Sequence, residues 1–205
     1  MTAVANRGWD LVVCAATGPS FDEHQAALIE SARVRGACHV LAINDNYRRL
    51  PNADVLYACD GKWWDVHNAD VRRAFHGELW TLDKKAADRY GLHHVDSINQ
   101  PGLCRDASRI HTGGNGGYQA VNLAFHFGAR RIVLVGYDMQ ATGGQPHWFG
   151  EHPQPLSRSR NFASWRERFE VLAADLYLAD VRVTNCTRQS ALACFPMGNL
   201  TEVLG

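Results

Sequence analysis

The sequence has no excess of one charge, no paired cysteines and no long apolar run, and each absence argues against a class of protein. Lysine plus arginine and aspartate plus glutamate both number 21, so the chain lacks the basic surface expected of a nucleic-acid-binding protein. Its six cysteines include no Cys-x-x-Cys pair, so we expect small buried side chains and no structural zinc site. No apolar stretch approaches the roughly 20 residues of a membrane span, and residues 1–10 lack the apolar core of a secretory signal. We therefore expect a cytoplasmic protein.

The 205 residues are enough for one sizeable core, and we predict a single domain over residues 1–205. Apolar runs predict buried strands at residues 11–15, 39–43, 54–59, 79–81, 132–135 and 181–184. Amphipathic patterns predict helices at residues 22–34, 63–74, 118–127 and 162–178, with a short helix near residue 200. The intervening residues 84–110 predict a less regular segment. Such alternation predicts a Rossmann-like α/β domain of three layers with a mostly parallel central sheet.

The segment 110–139 combines a glycine-rich turn, a helix and a buried strand that ends in an acid. Its turn reads Gly113-Gly114-Asn115-Gly116-Gly117, and glycines let a ligand approach the main chain closely. The N–H groups at the start of the following helix favour a phosphate. Asp138 follows the strand at its carboxyl end, which is where open α/β sheets bind ligands. The alternative, a tight turn without a ligand, stays open on local chemistry alone.

Polar residues also follow three earlier strands. They are residues 17–20, residues 44–46 and Asp60. Because the carboxyl ends of parallel strands meet at one edge of a sheet, we expect these residues to form one site with the glycine-rich turn. Each has a structural alternative as well. Ser20 and Asp60 would cap the helices that follow them, and Asn44 would form a turn.

Six motifs follow one another over residues 12–204 and together carry a family resemblance. They are Gly18-Pro19-Ser20-Phe21, Asn44-Asp45-Asn46-Tyr47, Asn52-Ala53-Asp54 to Asp60, the Gly113 loop with its helix, Val135-Gly136-Tyr137-Asp138, and His147-Trp148-Phe149-Gly150-Glu151-His152. In this order and spacing they resemble the bacterial sialyltransferase-like glycosyltransferases and the related 6-hydroxymethylpterin diphosphokinase-like superfamily. The resemblance is strongest to uncharacterised phage and prophage members of that group.

This resemblance implies a CMP-sugar as donor and a hydroxyl of a small molecule or glycan as acceptor, with no metal required. The cytidine nucleotide would lie against Gly18, Pro19, Ser20, Asn44, Gly113, Gly114, Asn115 and Gly116, with Asp60 at the same edge. A second copy of the chain is a further partner that the resemblance leaves open. For a phage-encoded chain, the expected cytoplasm is that of the host.

The general base implied by the resemblance is a histidine in a His-aromatic-x-Gly-His stretch. Here residues 147–152 contain one extra residue, so the role falls on His152 or on His147. A histidine suits this role because its unperturbed pKa lies near neutral pH and the attacking hydroxyl must lose a proton. Asp138 at the strand end is the third candidate catalytic residue.

Two differences from the sialyltransferases leave two alternatives open. Ala16-Thr17 stands where those enzymes have Gly-Asn, and residues 139–146 contain no tyrosine to stabilise the departing phosphate. In the diphosphokinase-like branch, an acid followed by Gly-x-x-His would accompany Mg-ATP as the donor, with Asp60 and Asp138 as magnesium ligands. The other alternative is a phage accessory protein that binds a nucleotide without catalysis.

Overall fold

Seven parallel strands form the central sheet of the computed structural model, which describes residues 3–152, 156 and 160–205. In chain order the strands are β1 (Leu11–Ala15), β2 (His39–Ile43), β3 (Val55–Tyr57), β4 (Glu78–Thr81), β5 (His93–His94), β6 (Asp96–Ile98), β7 (Arg109–His111), β8 (Arg131–Val135) and β9 (Arg182–Asn185). The sheet has the order β5-β4-β3-β2-β1-β8-β9, and β6 pairs separately with β7. This architecture confirms the predicted α/β class with a parallel central sheet.

Helices cover both faces of the sheet and confirm the three-layer arrangement. They are α1 (Glu23–Val34), α2 (Gly61–Ala74), α3 (Lys84–Tyr90), α4 (Gly116–His126), α5 (Phe162–Leu178) and α6 (Leu200–Leu204). Alternate residues of a strand point to opposite faces. Val12 and Cys14 of β1 accordingly belong to the core shared with α4 and α5, while Val13 and Ala15 belong to the core shared with α1, α2, α3 and α6.

The strand order places a topological switch point between β1 and β8. From β1 the chain moves outward through β2, β3, β4 and β5, and later returns to add β8 and β9 on the other side of β1. The loops that follow β1 and β8 therefore leave the sheet in opposite directions. A crevice between them, outside the carboxyl ends of the strands, is the usual ligand site in open α/β sheets.

Residues 84–110 are more regular than the sequence predicted, and that prediction was wrong in part. Asp83 caps α3 by accepting a hydrogen bond from the Ala86 amide at 2.9 Å, and Gly91 ends this helix with a φ of +61°. The strands β5, β6 and β7 follow, each two or three residues long. Elements this short contain too few periods for a hydrophobic pattern to reveal them.

The predicted cap of α1 by Ser20 is also wrong. Asp22 occupies the N-cap position, where its carboxylate accepts a hydrogen bond from the Gln25 amide at 2.9 Å. The hydroxyl of Ser20 donates instead to Asp138 at 2.8 Å. A distant acid therefore competes successfully for a side chain that the local pattern assigned to the helix.

The helix after the glycine-rich turn begins at Gly116, two residues earlier than predicted. Asn115 is its N-cap and accepts a hydrogen bond from the Tyr118 amide at 2.9 Å. Gly128 follows its carboxyl end with a φ of +104°, in the role that the sequence predicted. Within the described residues, no helix is both long and apolar enough to cross a membrane.

Candidate functional site

A cavity of about 460 Å³ opens at the carboxyl edge of the sheet, at the switch point between β1 and β8. Its wall brings together most of the residues that the sequence proposed for a site, from five separate segments of the chain. These wall residues are Gly18, Asn44, Asp60, Gly114, Asn115, Gly116, Asp138, His147 and His152. The predicted gathering of strand ends at one edge is therefore present in the structure.

Three of the proposed nucleotide-binding residues, Pro19, Ser20 and Gly113, do not line this cavity. Ser20 is buried, and both its amide and its hydroxyl donate to Asp138. Gly113 has a φ of +53°, and a Cβ at this position would overlap the ring of Tyr118. Ser20 and Gly113 therefore support the cavity wall and do not face the cavity.

Asp138, at the end of β8, links the turn after β1 to the loop after β8. Its carboxylate is 2% exposed and accepts hydrogen bonds from the Ser20 amide at 3.0 Å, the Ser20 hydroxyl at 2.8 Å and the Thr142 hydroxyl at 2.7 Å. Burial raises the pKa of Asp138, and the hydrogen bonds from Thr142 and Ser20 oppose this rise. A Cβ at Gly18 would overlap this carboxylate. These contacts make Asp138 a clamp between the turn after β1 and the loop after β8.

The amino end of α4 supplies the side of the cavity that suits a phosphate. Gly114, Asn115, Gly116 and Gly117 all line it. Gly116 and Gly117 form the first turn of an 11-residue helix, where main-chain N–H groups have no acceptor within the helix and the positive dipole end lies. The Nδ2 atom of Asn115 is buried and has no hydrogen-bond partner among the described residues. This end of α4 therefore offers donors and positive potential to an anion.

Of the residues after β2, Asn44 faces the cavity and Asn46 supports its wall. Asn44 lines the wall and adopts a φ of +50° at the start of a 3₁₀ helix, Asn44–Arg48. Asparagine tolerates this left-handed conformation better than most residues. Asn46 is buried and donates to the carbonyl oxygens of Ala15 and Ala16, both at 2.8 Å. It also accepts from Trp148 at 2.8 Å, so it links the end of β1 to the histidine-containing loop.

Asp60 has both of the roles that its position allows. It caps α2, where its carboxylate accepts from the Lys62 amide at 3.1 Å, and it lines the cavity. The capping alternative is therefore confirmed. It does not exclude contact with a ligand, because the residue is half-buried at the edge of the cavity.

His147 is held from two sides. Its Nδ1 atom is hydrogen-bonded to the hydroxyl of Thr17 at 2.9 Å, and its ring stacks on Phe149 at 5.0 Å between centroids. Burial lowers the pKa of His147 to about 4, with a smaller contribution from the neighbouring His152. The imidazole of His147 is therefore neutral at neutral pH. The hydroxyl of Thr17 therefore fixes the orientation of this ring.

His152 lies beside a buried acid. Its Nδ1 atom is 3.9 Å from Oδ2 of Asp45, whose side chain is 3% exposed. Burial lowers the pKa of His152, and the charge of Asp45 opposes this shift. The same Asp45 oxygen accepts a hydrogen bond from the Trp63 indole at 3.1 Å. With Nδ1 turned toward an acid, Nε2 is the ring nitrogen available to take a proton from a ligand.

Sequence reasoning missed three residues of this site: Asp45, Arg160 and Trp165. Asp45 belongs to the motif Asn44-Asp45-Asn46-Tyr47, in which a site role was predicted only for Asn44. Arg160 and Trp165 line the cavity at and beyond the start of α5. Residues 157–162 read SRSRNF, and nothing in that string separates one arginine from the other. Nothing in the sequence indicated that the indole of Trp165 would lie beside Gly114.

The described residues do not offer magnesium a site made by protein alone. Among them, no group of three or more histidine, cysteine, aspartate or glutamate side chains is placed to hold a metal ion. Asp138, proposed as a ligand in the diphosphokinase-like alternative, already accepts three hydrogen bonds. Magnesium usually takes one or two carboxylates together with substrate phosphates.

The cavity combines a helix amino end with unpaired N–H donors, two half-buried histidines whose pKa values burial lowers, and a mixed polar and aromatic wall. Helix amino ends favour phosphates, and a neutral histidine can accept a proton from a hydroxyl. No known family model matches the chain, and no curated protein sequence matches it.

Proposed function

We propose that this protein is a glycosyltransferase that binds a nucleotide-activated sugar of the CMP-sugar type and transfers the sugar to a hydroxyl acceptor. One observation carries the proposal. A single cavity holds both the amino end of α4, which suits the donor phosphate, and His152 with Asp45 behind it, which suits deprotonation of the acceptor. The resemblance of the six motifs to sialyltransferase-like enzymes supports the same activity.

The donor would place its phosphate against the first turn of α4. Gly114, Gly116 and Gly117 leave room for close main-chain contact there, and the helix dipole favours the negative charge. Asn44 and Asp60 lie on the same wall and offer polar atoms to the ribose or base. Trp165 packs near Gly114 and offers an aromatic face beside the same turn.

His152 would act as the general base. The acceptor oxygen attacks the anomeric carbon, and its proton passes to Nε2 of His152. The bond between the anomeric carbon and the phosphate oxygen breaks, and its electron pair remains on the phosphate as the nucleotide leaves. Asp45 stabilises the imidazolium that forms. His147 is the weaker candidate because its pKa of about 4 makes it a poor proton acceptor.

A binding experiment separates this activity from its alternatives. Thermal unfolding is followed with CMP, CDP, UDP and ATP, each with and without magnesium. We expect CMP to raise the unfolding temperature in the absence of metal. A shift only with Mg-ATP would overturn the proposal in favour of a diphosphokinase-like phosphotransferase, and no shift with any nucleotide would overturn both.

Turnover distinguishes an enzyme from a protein that binds the nucleotide without catalysis. Release of CMP from CMP-sialic acid, with water or added glycans as acceptor, is measured by chromatography. We expect release above the uncatalysed rate. Binding of CMP without any release from the CMP-sugar would favour the non-catalytic accessory protein.

A further inference from the structure

The proposed transfer leaves a negative charge on the departing nucleotide phosphate, and the chain lacks the tyrosines that stabilise it in the sialyltransferases. Residues 139–146 contain none. Tyr137, just before Asp138, is fully buried and donates its hydroxyl to the Gly117 carbonyl oxygen at 3.0 Å. Apart from the N–H groups at the start of α4, a cationic side chain is the kind of group that can neutralise the charge of the leaving phosphate. The inference below rests on the proposed function.

Among the described residues on the cavity wall, Arg160 is the one arginine or lysine. Its side chain is 21% exposed, much less than expected for a free surface arginine. It forms a two-point ion pair with Glu151, in which Nη1 and Oε1 lie 3.2 Å apart. Glu151 is 61% exposed, so the pair turns its acid toward solvent and its cation toward the cavity.

The position of Arg160 places this cation beside the proposed phosphate site. It directly precedes Asn161, the N-cap of α5, and Trp165 in the first turn of that helix contacts the position of Gly114. The charge of Arg160 also affects the pKa values of both histidines. Burial is the main cause of the lowered pKa of His147 and of His152, and the charge of Arg160 lowers both further. One guanidinium thus lines the same cavity as the glycine-rich turn and lies within electrostatic reach of the proposed base.

A guanidinium has five N–H donors, and the pair with Glu151 uses only part of them. The donors that remain match the oxygens of a phosphate, which arginine binds in a two-point geometry. Glu151 restricts the rotamers of a long side chain before any ligand arrives, so less conformational entropy is lost on binding. The arrangement has the features of a preorganised phosphate-binding cation.

We propose that Arg160 binds the phosphate of the nucleotide donor and neutralises the charge that develops on it as the sugar departs. When the bond from the anomeric carbon to the phosphate oxygen breaks, its electron pair stays on that oxygen. The guanidinium donates hydrogen bonds to the phosphate oxygens in both states and more strongly in the second. Arg160 takes over the part that tyrosines have in the sialyltransferases, and Glu151 is its positioning residue.

Binding of CMP and of cytidine to the wild type and to Arg160→Met tests this assignment by calorimetry. We expect the variant to bind CMP about 10- to 100-fold more weakly, as for loss of hydrogen bonds to a charged group, and cytidine with less than about twofold change. Arg160→Lys keeps the positive charge but loses the two-point geometry of the guanidinium. Its affinity for CMP is expected to lie between those of the wild type and Arg160→Met. Arg33→Met is the matched control, because Arg33 is 24% exposed and pairs with Glu30 on α1; CMP affinity should not change.

The outcomes separate this inference from the proposed function. If the wild type binds CMP and releases it from CMP-sialic acid while Arg160→Met keeps the wild-type preference for CMP over cytidine, the assignment of Arg160 is overturned and the glycosyltransferase stands. If the wild type binds neither CMP nor a CMP-sugar, both fall together. If Arg160→Met loses affinity for CMP and cytidine equally, Arg160 shapes the cavity without recognising phosphate, which also overturns the assignment.

Discussion

The Nδ1 atom of His152 lies 3.9 Å from Oδ2 of Asp45, and the two side chains come from the loop after β8 and from the 3₁₀ helix after β2. The distance is too long for a good hydrogen bond, but it is short enough for the Asp45 carboxylate to stabilise the imidazolium once His152 takes up a proton. Catalytic hydrogen bonds are often long without ligand and shorten in the complex. The pair has the arrangement of a general base with an acid behind it.

Asp45→Asn should slow release of CMP from a CMP-sugar by about 10- to 100-fold, because the imidazolium formed in the reaction loses its counter-charge. Burial lowers the pKa of His152 and the charge of Asp45 opposes this shift, so removal of that charge should also move the acid limb of the pH–rate profile to lower pH. Rates measured between pH 4 and 8 give both quantities. An unchanged acid limb with a normal rate would show that Asp45 does not act through His152.

The two histidines should separate in a matched pair of substitutions. His152→Ala is expected to abolish turnover while CMP binding stays nearly intact, since the base contacts the acceptor and not the nucleotide. His147→Ala removes the contact with Thr17 and should reduce the rate less. Turnover and calorimetric affinity are measured for both. Normal turnover in His152→Ala, with loss in His147→Ala, would transfer the role of base to His147.

Asp138→Ala should destabilise the fold by about 3 kcal/mol, because it leaves the buried amide and hydroxyl donors of Ser20 without an acceptor. Thr142→Ala is the control. It removes one of the three hydrogen bonds and should cost about 1 kcal/mol. Urea unfolding followed by circular dichroism measures both. Equal losses in the two variants would contradict the assignment of Asp138 as the clamp between the turn after β1 and the loop after β8.

Stability should depend on pH through His147. Burial lowers its folded-state pKa to about 4, whereas the unfolded value is about 6.5. Between these values the unfolded state binds more protons, so stability is full above about pH 6.5 and falls as the pH decreases toward 4. The slope from this one group is at most about 1.4 kcal/mol per pH unit.

The matched measurement is the free energy of unfolding of His147→Gln at the same pH values. Glutamine does not titrate, so the variant should lose this part of the dependence while keeping a polar partner for Thr17. An identical slope in the two proteins would show that other groups account for it. His152, whose pKa burial also lowers, is left unchanged in both proteins.

Several elements were predictable because their signals are local. The bounds of β1, β2 and α5 agree with the sequence prediction residue for residue. Continuous apolar runs mark strands buried on both faces, and a long amphipathic period marks a helix. Gly128 also ended its helix as predicted, since a positive φ after a helix favours glycine.

Other features depend on contacts that local patterns do not record. Ser20 had an equally good local explanation as a helix cap, and its true partner, Asp138, lies 118 residues away. Thr17 and His147 are separated by 130 residues. The role of Asp60 as a cap was foreseen, but its place on the cavity wall depends on the order of the strands.

The amino-acid sequence by itself determined the alternation of strands and helices, the α/β class and the polar residues at the strand ends, because hydrophobic period and turn chemistry act over a few residues. Tertiary structure alone decided which of those polar residues line the same cavity and which support its wall through hydrogen bonds. It also decided which residues that the sequence did not single out line the cavity. Asp45 became the partner of His152, and Arg160 became the cation of the cavity, through packing between distant segments. Long-range geometry is set by strand order and side-chain packing, which no short stretch of sequence contains.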